Sequence, residues 1–263
     1  MSESAARWGD LAPRVLTAVI LLAVAVMEIW LGGWALVAGV ALLAALMTWE
    51  LARMLAPDKA REARGLAILS LVVILAASLL PAIVALPLFG AAALVGADRL
   101  GRHKGLYLPA AAAILVGSHT VNLLQDQAGS IWLIWIIGVV IVSDVAGYFA
   151  GRLLGGPKFW PKVSPKKTWS GTIAGWIGAG VVGAVFAAPT GAGAGLVVVS
   201  ALAGLAGQMG DIGESAIKRR VGVKDSSNLL PGHGGVLDRF DAMLGAALAV
   251  GALWVLNLLP GLA

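Results

Sequence analysis

Residues 168–210 read TWSGTIAGWIGAGVVGAVFAAPTGAGAGLVVVSALAGLAGQMG, a run of 43 positions without Asp, Glu, Lys or Arg. A membrane-spanning α-helix needs about 20 predominantly apolar residues, so this run is long enough for two. Pro189-Thr190-Gly191 lies near its middle and is typical of a turn. The run therefore predicts two spanning helices, at 171–188 and 193–210.

The rest of the chain has the same character. Of its 263 residues, 59% are hydrophobic and 13% are charged, where a soluble domain carries about 25% charged residues. The mean hydropathy is +0.91. These values predict an all-α, polytopic integral membrane protein, and they exclude a soluble enzyme and a nucleic-acid-binding domain. The absence of cysteine excludes disulfides, thiol nucleophiles and Cys-ligated zinc.

The stretches with few charged residues predict about eight transmembrane helices. They lie at 14–31, 34–55, 66–98, 106–123, 130–150, 171–188, 193–210 and 242–260. The 66–98 stretch is too long for one helix and short for two. Because proline breaks or kinks a helix, Pro81 predicts two short helices there, at 66–80 and 82–98, which would bring the count to nine; a single kinked element is the alternative and leaves eight.

The distribution of Lys and Arg predicts the orientation. Cytoplasmic segments of membrane proteins carry an excess of these residues. With a cytoplasmic N-terminus, all 19 Lys and Arg residues fall in, or at the edges of, the segments 1–14, 53–64, 98–105, 151–170 and 211–241. We expect one integral-membrane domain over 1–263. Its N-terminal helices occupy 1–130, and the helices of 131–263 carry a cytoplasmic-face active site in loops 151–170 and 211–241.

Loop 151–170 is basic. It carries five cations and no acid, and it ends in Ser164-Pro165-Lys166-Lys167-Thr168 at the start of the next span. Free N–H groups at a helix N-terminus, with lysines nearby, form a site for anions such as polyphosphates. The simpler interpretation is a topology signal that also attracts anionic lipid.

Segment 211–241 mixes acids with cations. Asp211, Glu214, Ser215 and Lys218 are spaced to share one helical face, and Asp238 and Asp241 share another. Magnesium typically takes one or two protein carboxylates together with waters and substrate phosphate oxygens, and Asp211 and Asp238 are suited to supply them. The alternative is a local salt-bridge network in which Asp211 pairs with Lys218 and Asp238 with Arg239.

Three further polar residues stand out. Asp144 follows Ser143 inside an apolar run, where an acid is a functional candidate by default. Glu50 is expected to pair with Arg53, three residues later. His233 lies in a glycine-rich stretch, where contact with phosphate and ordering of the loop are equally good interpretations.

From Ser215 to Asp241 the chain reads SAIKRRVGVKDSSNLLPGHGGVLDRFD. This segment resembles the signature of phosphatidate cytidylyltransferases, also called CDP-diacylglycerol synthases: S-x-x-K-R, four residues, K-D, then P-G-H-G-G-x-x-D-R-x-D. Every fixed position is met. Ser143-Asp144, Ser164–Thr168 and Gly210-Asp211 are also similar to that family, whereas Ser170 stands where many members have Glu. The N-terminal half is similar only as a hydrophobic multi-span region.

The resemblance implies a phospholipid-biosynthetic reaction in which CMP passes from CTP to phosphatidate, giving CDP-diacylglycerol and pyrophosphate. It implies Mg²⁺, as one ion or two and replaceable by Mn²⁺, on Asp211 and Asp238. The catalytic residues it implies are Asp211, Lys218, Asp238 and Asp241. The substrate-binding residues it implies are Asp144, Ser164, Lys166, Lys167, Thr168, Ser215, Arg219, Lys224, Asp225, His233, Gly234, Gly235 and Arg239. It also implies a homodimer in the inner membrane.

Two alternatives stay open. A cytidylyltransferase for an isoprenoid-type lipid phosphate would carry the same motif and differ in its tail pocket. A membrane transporter would explain the many spans and the intramembrane Asp144. It would not explain why the polar clusters fall on one face while the outer turns lack Lys and Arg.

Overall fold

The computed structural model of the protein describes residues 11–230 and 232–262. In these ranges nine α-helices, a π-helical turn at Leu124–Ala128 and a two-stranded hairpin follow one another. They are α1 Leu11–Leu31, α2 Gly33–Leu55, α3 Ala60–Ala77, α4 Ala82–Leu100, α5 Lys104–Leu123, α6 Ser130–Leu153, β1 Lys158–Trp160, β2 Ser164–Thr168, α7 Trp169–Phe186, α8 Gly195–Val221 and α9 Leu237–Val255.

Six of these helices are long and apolar enough to cross a membrane: α2, α4, α5 with its π-helical turn, α6, α7 and α8. The prediction of an all-α integral membrane protein is therefore confirmed. The number of eight spans and the cytoplasmic N-terminus stay predictions. Residues 1–10 of the predicted first cytoplasmic segment lie outside the described ranges.

The predicted division of 66–98 is confirmed, since α3 and α4 are separate helices. Pro81 is the N-cap of α4, with φ −64° and ψ 150°, an extended backbone that separates the two. Proline has no N–H to contribute, and the start of a helix is where that loss is least costly.

The two predicted cytoplasmic loops contain more regular structure than the sequence indicated. In 151–170, β1 and β2 pair antiparallel, with Lys158 opposite Thr168 and Trp160 opposite Ser164. In 211–241, α8 runs on through Val221 and α9 begins at Leu237. The irregular connection is thus only 222–236, and the charged residues before and after it are fixed on helices.

Helix packing places α8 at the centre of the C-terminal half. It packs extensively against α7 on one side and α9 on the other, and α7 packs in turn against α6. The start of α9 also belongs to the N-terminal half, because Leu237 lies in a hydrophobic cluster with Leu51, Phe89 and Tyr107. The first turn of α9 therefore packs against both the N-terminal and the C-terminal half.

The contact between α8 and α9 depends on two glycines. A Cβ at Gly245 would overlap the carbonyl oxygen of Ala206, and a Cβ at Gly210 would overlap that of Asp241. Small residues permit such close helix approach in membranes. The approach places the backbone of Asp241 against Gly210, next to Asp211.

We predict that Gly245→Ala lowers stability by about 1–3 kcal/mol, because the new methyl group meets backbone atoms that cannot rotate away. Gly213→Ala in α8 is the matched control, since a Cβ there has nothing within 4 Å. Alanine favours a helix over glycine by about 1 kcal/mol, so this control should be as stable as the native chain or more so. Thermal unfolding in detergent, followed by tryptophan fluorescence, measures both. Equal midpoints for the two variants would contradict the packing described here.

Candidate active site

A cavity of about 560 Å³ opens between α6, β2, α7 and α8. Its lining residues are Ser143, Asp144, Gly147, Tyr148, Gly151, Arg152, Lys166, Lys167, Thr168, Gly171, Thr172, Gln208 and Asp211. Five residues that the sequence nominated in separate segments thus share one cavity: Asp144, Lys166, Lys167, Thr168 and Asp211. The cavity is rich in cations and hydrogen-bonding groups, as an anion-binding site requires.

An ion pair crosses this cavity. Lys167 Nζ lies 2.6 Å from Asp211 Oδ2, and the two side chains are 23% and 33% exposed. Lys167 also donates to the carbonyl oxygen of Gln208 at 3.5 Å, and Ser215 Oγ donates to Asp211 Oδ1 at 3.3 Å. Since both members of the pair remain partly exposed, an anion can reach the lysine and a cation can reach the aspartate.

Thr168 fixes the junction between the hairpin and α7. As the N-cap of α7, its Oγ1 accepts a hydrogen bond from the backbone N–H of Gly171 at 3.2 Å. Ser170 Oγ lies 3.0 Å from Thr168 Oγ1 and donates to the carbonyl oxygen of Gly155 at 2.5 Å. The serine that departs from the family pattern thus ties the start of the hairpin to α7. The positive end of the α7 dipole adds to the charge of the neighbouring lysines.

Gln208 is a cavity residue that sequence reasoning missed. It is buried, and its Nε2 donates to the carbonyl oxygen of Thr172 at 3.2 Å and to Ser143 Oγ at 3.4 Å. Its Oε1 accepts from Trp176 Nε1 at 3.1 Å. The side chain therefore forms a fixed wall joining α6, α7 and α8. The sequence did mark this residue, since Gln208 is the only Asn or Gln in the charge-free run 168–210 and an amide within an apolar run needs hydrogen-bond partners.

A second cluster is centred on Lys218. Its Nζ lies 2.5 Å from Glu214 Oε2 and 2.6 Å from Asp238 Oδ1. The other oxygen of Asp238 accepts from the backbone N–H of Gly235 at 2.7 Å and from both the N–H and the Oγ of Ser226 at 2.9 Å. Burial alone would raise the pKa of Asp238, but the hydrogen bonds from Lys218, Gly235 and Ser226 outweigh it and hold the pKa below its usual value.

The local salt-bridge network considered from the sequence is not the one that forms. Asp211 pairs with Lys167 of the hairpin rather than with Lys218, and Asp238 pairs with Lys218 rather than with Arg239. Consecutive residues of a helix point about 100° apart, so Arg239 does not face Asp238. Its guanidinium donates instead to the carbonyl oxygen of His233, at 2.7 and 3.1 Å.

Glu50 was assigned the wrong partner. Its side chain is fully buried, and it accepts four hydrogen bonds from the 226–237 region. Arg53 instead donates to the carbonyl oxygen of Pro57. The signal for a buried role was an acid at the end of a long apolar run, which is costly without dedicated partners.

The remaining predicted residues lie away from the first cavity's lining. Arg219 and Lys224 are exposed, Ser164 begins β2, and Asp225 packs near Gly234. Pro231 of the signature lies outside the described residues. Gly234 and Gly235 form the turn over Asp238, since Leu230 N–H donates to the carbonyl oxygen of Gly234 at 2.8 Å.

A second cavity, of about 840 Å³, lies between α5, α8 and α9, on the other side of α8. Its lining is largely apolar, with Glu214, Arg220 and Asp241 as the acidic and basic groups of its helical wall. Gly210 lines this cavity whereas Asp211 lines the first. The C-terminal part of α8 therefore separates a polar cavity from an apolar one.

The carboxyl groups of this region lie close together. Asp144, Asp211, Glu214, Asp238 and Asp241 influence one another electrostatically, with Lys167 and Lys218 as the cations among them. Glu214 Oε1 is buried and lacks a hydrogen-bond partner among the described residues. Carboxylates this close together repel one another, and protons, lysines or bound cations relieve that repulsion.

The donor set fits a metal that binds together with a phosphate ligand. Among the described residues no group of three or more His, Cys, Asp or Glu side chains is arranged to hold a metal alone. Magnesium does not require one, since it usually binds one or two carboxylates plus substrate phosphates. Both predicted ligands have partners on both oxygens, but the Asp211 side chain is 33% exposed whereas that of Asp238 is 5% exposed.

The model of the cytidylyltransferase family matches residues 12–256. The phosphatidate cytidylyltransferase of Brucella suis biovar 1 is 43% identical over 147 residues, covering 53% of this chain and 54% of the relative. That of Helicobacter pylori strain 26695 is 41% identical over 140 residues, covering 52% of each chain. That of Bacillus subtilis strain 168 is 40% identical over 122 residues, covering 45% of each.

The chain thus spans about half the length of the curated relatives it matches, while the family model covers nearly all of it. This confirms the resemblance inferred from the motif, and the chain belongs to the cytidylyltransferase family.

Proposed function

We propose that this chain is a phosphatidate cytidylyltransferase, which transfers CMP from CTP to phosphatidate and releases pyrophosphate. The observation that carries the proposal is the first cavity, where Lys166, Lys167 and the N-terminus of α7 face Asp211 and Asp144. Such a set of groups suits a triphosphate with its cation. The names of the relatives supply the substrate pair.

In the proposed reaction, a phosphate oxygen of phosphatidate attacks the α-phosphorus of CTP. The bond from that phosphorus to the bridging oxygen of pyrophosphate breaks, and the electron pair leaves with pyrophosphate. Because the lipid phosphate is already anionic, no general base is required. Catalysis then consists of positioning two anions and neutralising their charge, as in other phosphoryl transfers.

The chain's own residues divide this work between the two clusters. Lys166 and Lys167 hold the triphosphate, while Thr168 fixes the N-terminus of α7 beside it. Lys218, together with the exposed Arg219, contributes positive charge towards the lipid phosphate. Asp238 orders the 226–235 turn through its contacts with Ser226 and Gly235.

We propose Asp211 as a ligand of Mg²⁺, which would neutralise charge on the triphosphate and on the leaving pyrophosphate. Asp238 is the second ligand in this hypothesis. Its contribution requires release of Lys218, an ammonium that Glu214 also holds. A second Mg²⁺, or Mn²⁺ in its place, is compatible with the close set of carboxylates.

The second cavity is suited to the acyl chains of phosphatidate, because its wall is largely apolar and it adjoins Asp241. The proposal includes a site on the cytoplasmic face of the inner membrane, supported by the placement of Lys and Arg. A homodimer is included on the family resemblance alone.

The activity is tested by incubating the purified full chain in detergent with radiolabelled CTP, phosphatidate and Mg²⁺. We expect lipid-extractable label that requires phosphatidate and disappears with EDTA. Label that transfers only to an isoprenoid-type lipid phosphate would replace the proposed substrate. No transfer to either lipid, in protein shown to be folded, would overturn the enzymatic proposal in favour of a transporter.

We predict that Lys167→Ala lowers kcat/KM for CTP on the order of 10²-fold, as removal of one donor to a developing charge does. Stability should change by less than about 1 kcal/mol, because the lost ion pair is partly exposed. Lys158→Ala is the control, an exposed lysine on the paired strand that does not line the cavity. Steady-state kinetics with varied CTP measure both, and similar losses in the two variants would refute a specific role for Lys167.

We expect Asp211→Asn and Asp238→Asn both to lose turnover but to differ in stability. Asp211→Asn should unfold at nearly the native temperature, since its partners are a partly exposed lysine and a serine. Asp238→Asn should lose about 1–3 kcal/mol, because an amide cannot accept from Lys218 and the turn as the carboxylate does. Turnover, Mg²⁺ titration and thermal unfolding separate the two. Full activity in both variants would remove the metal assignment.

A further inference from the structure

We infer that Glu50 is a positioning residue for the proposed cytidylyl transfer: from the N-terminal half, it fixes the 226–237 segment and thereby the place of Asp238. This inference rests on the proposed function. Neither the signature motif nor the predicted site includes Glu50.

The hydrogen bonds of Glu50 divide evenly between its two oxygens. Oε1 accepts from Ser227 Oγ at 2.6 Å and from Val236 N–H at 2.9 Å. Oε2 accepts from Ser226 Oγ at 3.1 Å and from Leu237 N–H at 2.7 Å. Each oxygen thus takes one hydroxyl and one backbone N–H, so the carboxylate holds both ends of the segment at once.

Glu50 serves as a remote cap for α9. The first N–H groups of a helix lack partners within it, and an anion beside them is favoured by the helix dipole. Val236, the N-cap residue of α9, makes no side-chain capping bond. A carboxylate 186 positions earlier in the chain takes that role for Val236 N–H. The first turn that Glu50 caps is the one that carries Asp238.

A second connection runs through Ser226. Its Oγ lies 3.1 Å from Glu50 Oε2 and 2.9 Å from Asp238 Oδ2, so one hydroxyl proton is shared between two carboxylates. Asp238 then contacts Lys218 at 2.6 Å. Contacts therefore run without interruption from Glu50 to the ammonium at the end of α8.

Gly235 of the signature supports the same conclusion. A Cβ at this position would overlap both Ser226 Oγ and the carboxylate of Glu50. Its N–H is meanwhile used by Asp238. Glycine is required at this position partly because Glu50 occupies the space that a side chain would need. A residue outside the motif therefore constrains a residue within it.

The first test replaces Glu50 by Gln and by Asp. In Glu50→Gln the amide nitrogen must face either Val236 N–H or Leu237 N–H, and neither backbone donor can turn round. Glu50→Asp keeps the charge but is one methylene shorter, so it should restore activity in part. Displacement of catalytic groups by about 1 Å costs on the order of 10²-fold, and we expect kcat of Glu50→Gln to fall by that order. KM for CTP should change less, because the lysine cavity is untouched.

Thr48→Val is the matched control. Thr48 lies on the same helix, is equally buried, and accepts a hydrogen bond from Ser70 Oγ at 2.9 Å, away from the 226–237 segment. This variant should lose thermal stability and keep kcat. If kcat in both variants falls in proportion to stability, Glu50 has only a structural role and the inference fails.

A readout independent of catalysis is available because the chain has no cysteine. A nitroxide attached to Asn228→Cys, an exposed position in the segment, reports the local mobility of the backbone by electron paramagnetic resonance. We expect the label to become more mobile in Glu50→Gln and to stay unchanged in Thr48→Val. An unchanged spectrum in Glu50→Gln would overturn the inference. Since the spectrum needs no turnover, this result stands apart from any failure of the cytidylyl transfer assay.

Discussion

Asp238 sits at the start of α9 with an ammonium on one oxygen and three hydrogen-bond donors on the other, and much of the C-terminal half follows from that arrangement. A carboxylate nearly removed from water is costly unless both of its oxygens are partnered. The ammonium, from Lys218, requires α8 to continue well past its apolar part. The remaining donors, from Ser226 and Gly235, require the connection between α8 and α9 to fold back over the helix start.

The same requirement extends to the N-terminal half through Glu50, although that half carries little of the motif. Its contribution consists of one carboxylate and a large apolar surface, in which Leu51 packs in one cluster with Leu237. Apolar cores tolerate exchange among residues of similar volume. The N-terminal half can therefore change many of its apolar residues and still support the site by packing. This agrees with a family resemblance that is concentrated in the C-terminal half.

The sequence predicted what depends on composition and local spacing. Long apolar runs located the helices, because about twenty consecutive apolar residues are typical of a membrane-spanning helix. Pro81 divided one of these runs, because proline interrupts the hydrogen bonding of a helix. Five polar residues of the first cavity were identified, whereas Gln208 was not. The partners of the charges were not, since Lys167 reaches Asp211 across 44 positions and Glu50 reaches Leu237 across 187. Such pairs depend on tertiary packing, which local spacing does not report.

The hairpin illustrates the same limit. Residues 158–168 are rich in lysine and proline, and no period-two pattern of apolar residues marks them as strands. Their pairing is supported at the open end of the hairpin, where Ser170 donates to Gly155 and Trp169 N–H donates to the carbonyl oxygen of Pro157 at 3.0 Å. The hairpin is thus a consequence of where α6 ends and α7 begins.

The position of α8 gives the proposed reaction its geometry. Gly210 and Asp211 are adjacent in sequence, and because successive helical residues point about 100° apart they line different cavities. A water-soluble nucleotide and a lipid arrive from different media, and a single pocket would have to be both polar and apolar. With α8 as the partition, the triphosphate meets lysines on one side and the acyl chains meet apolar side chains on the other. In the proposed reaction the two phosphates would approach each other near the C-terminal part of α8, where Asp211, Lys218 and Asp241 lie.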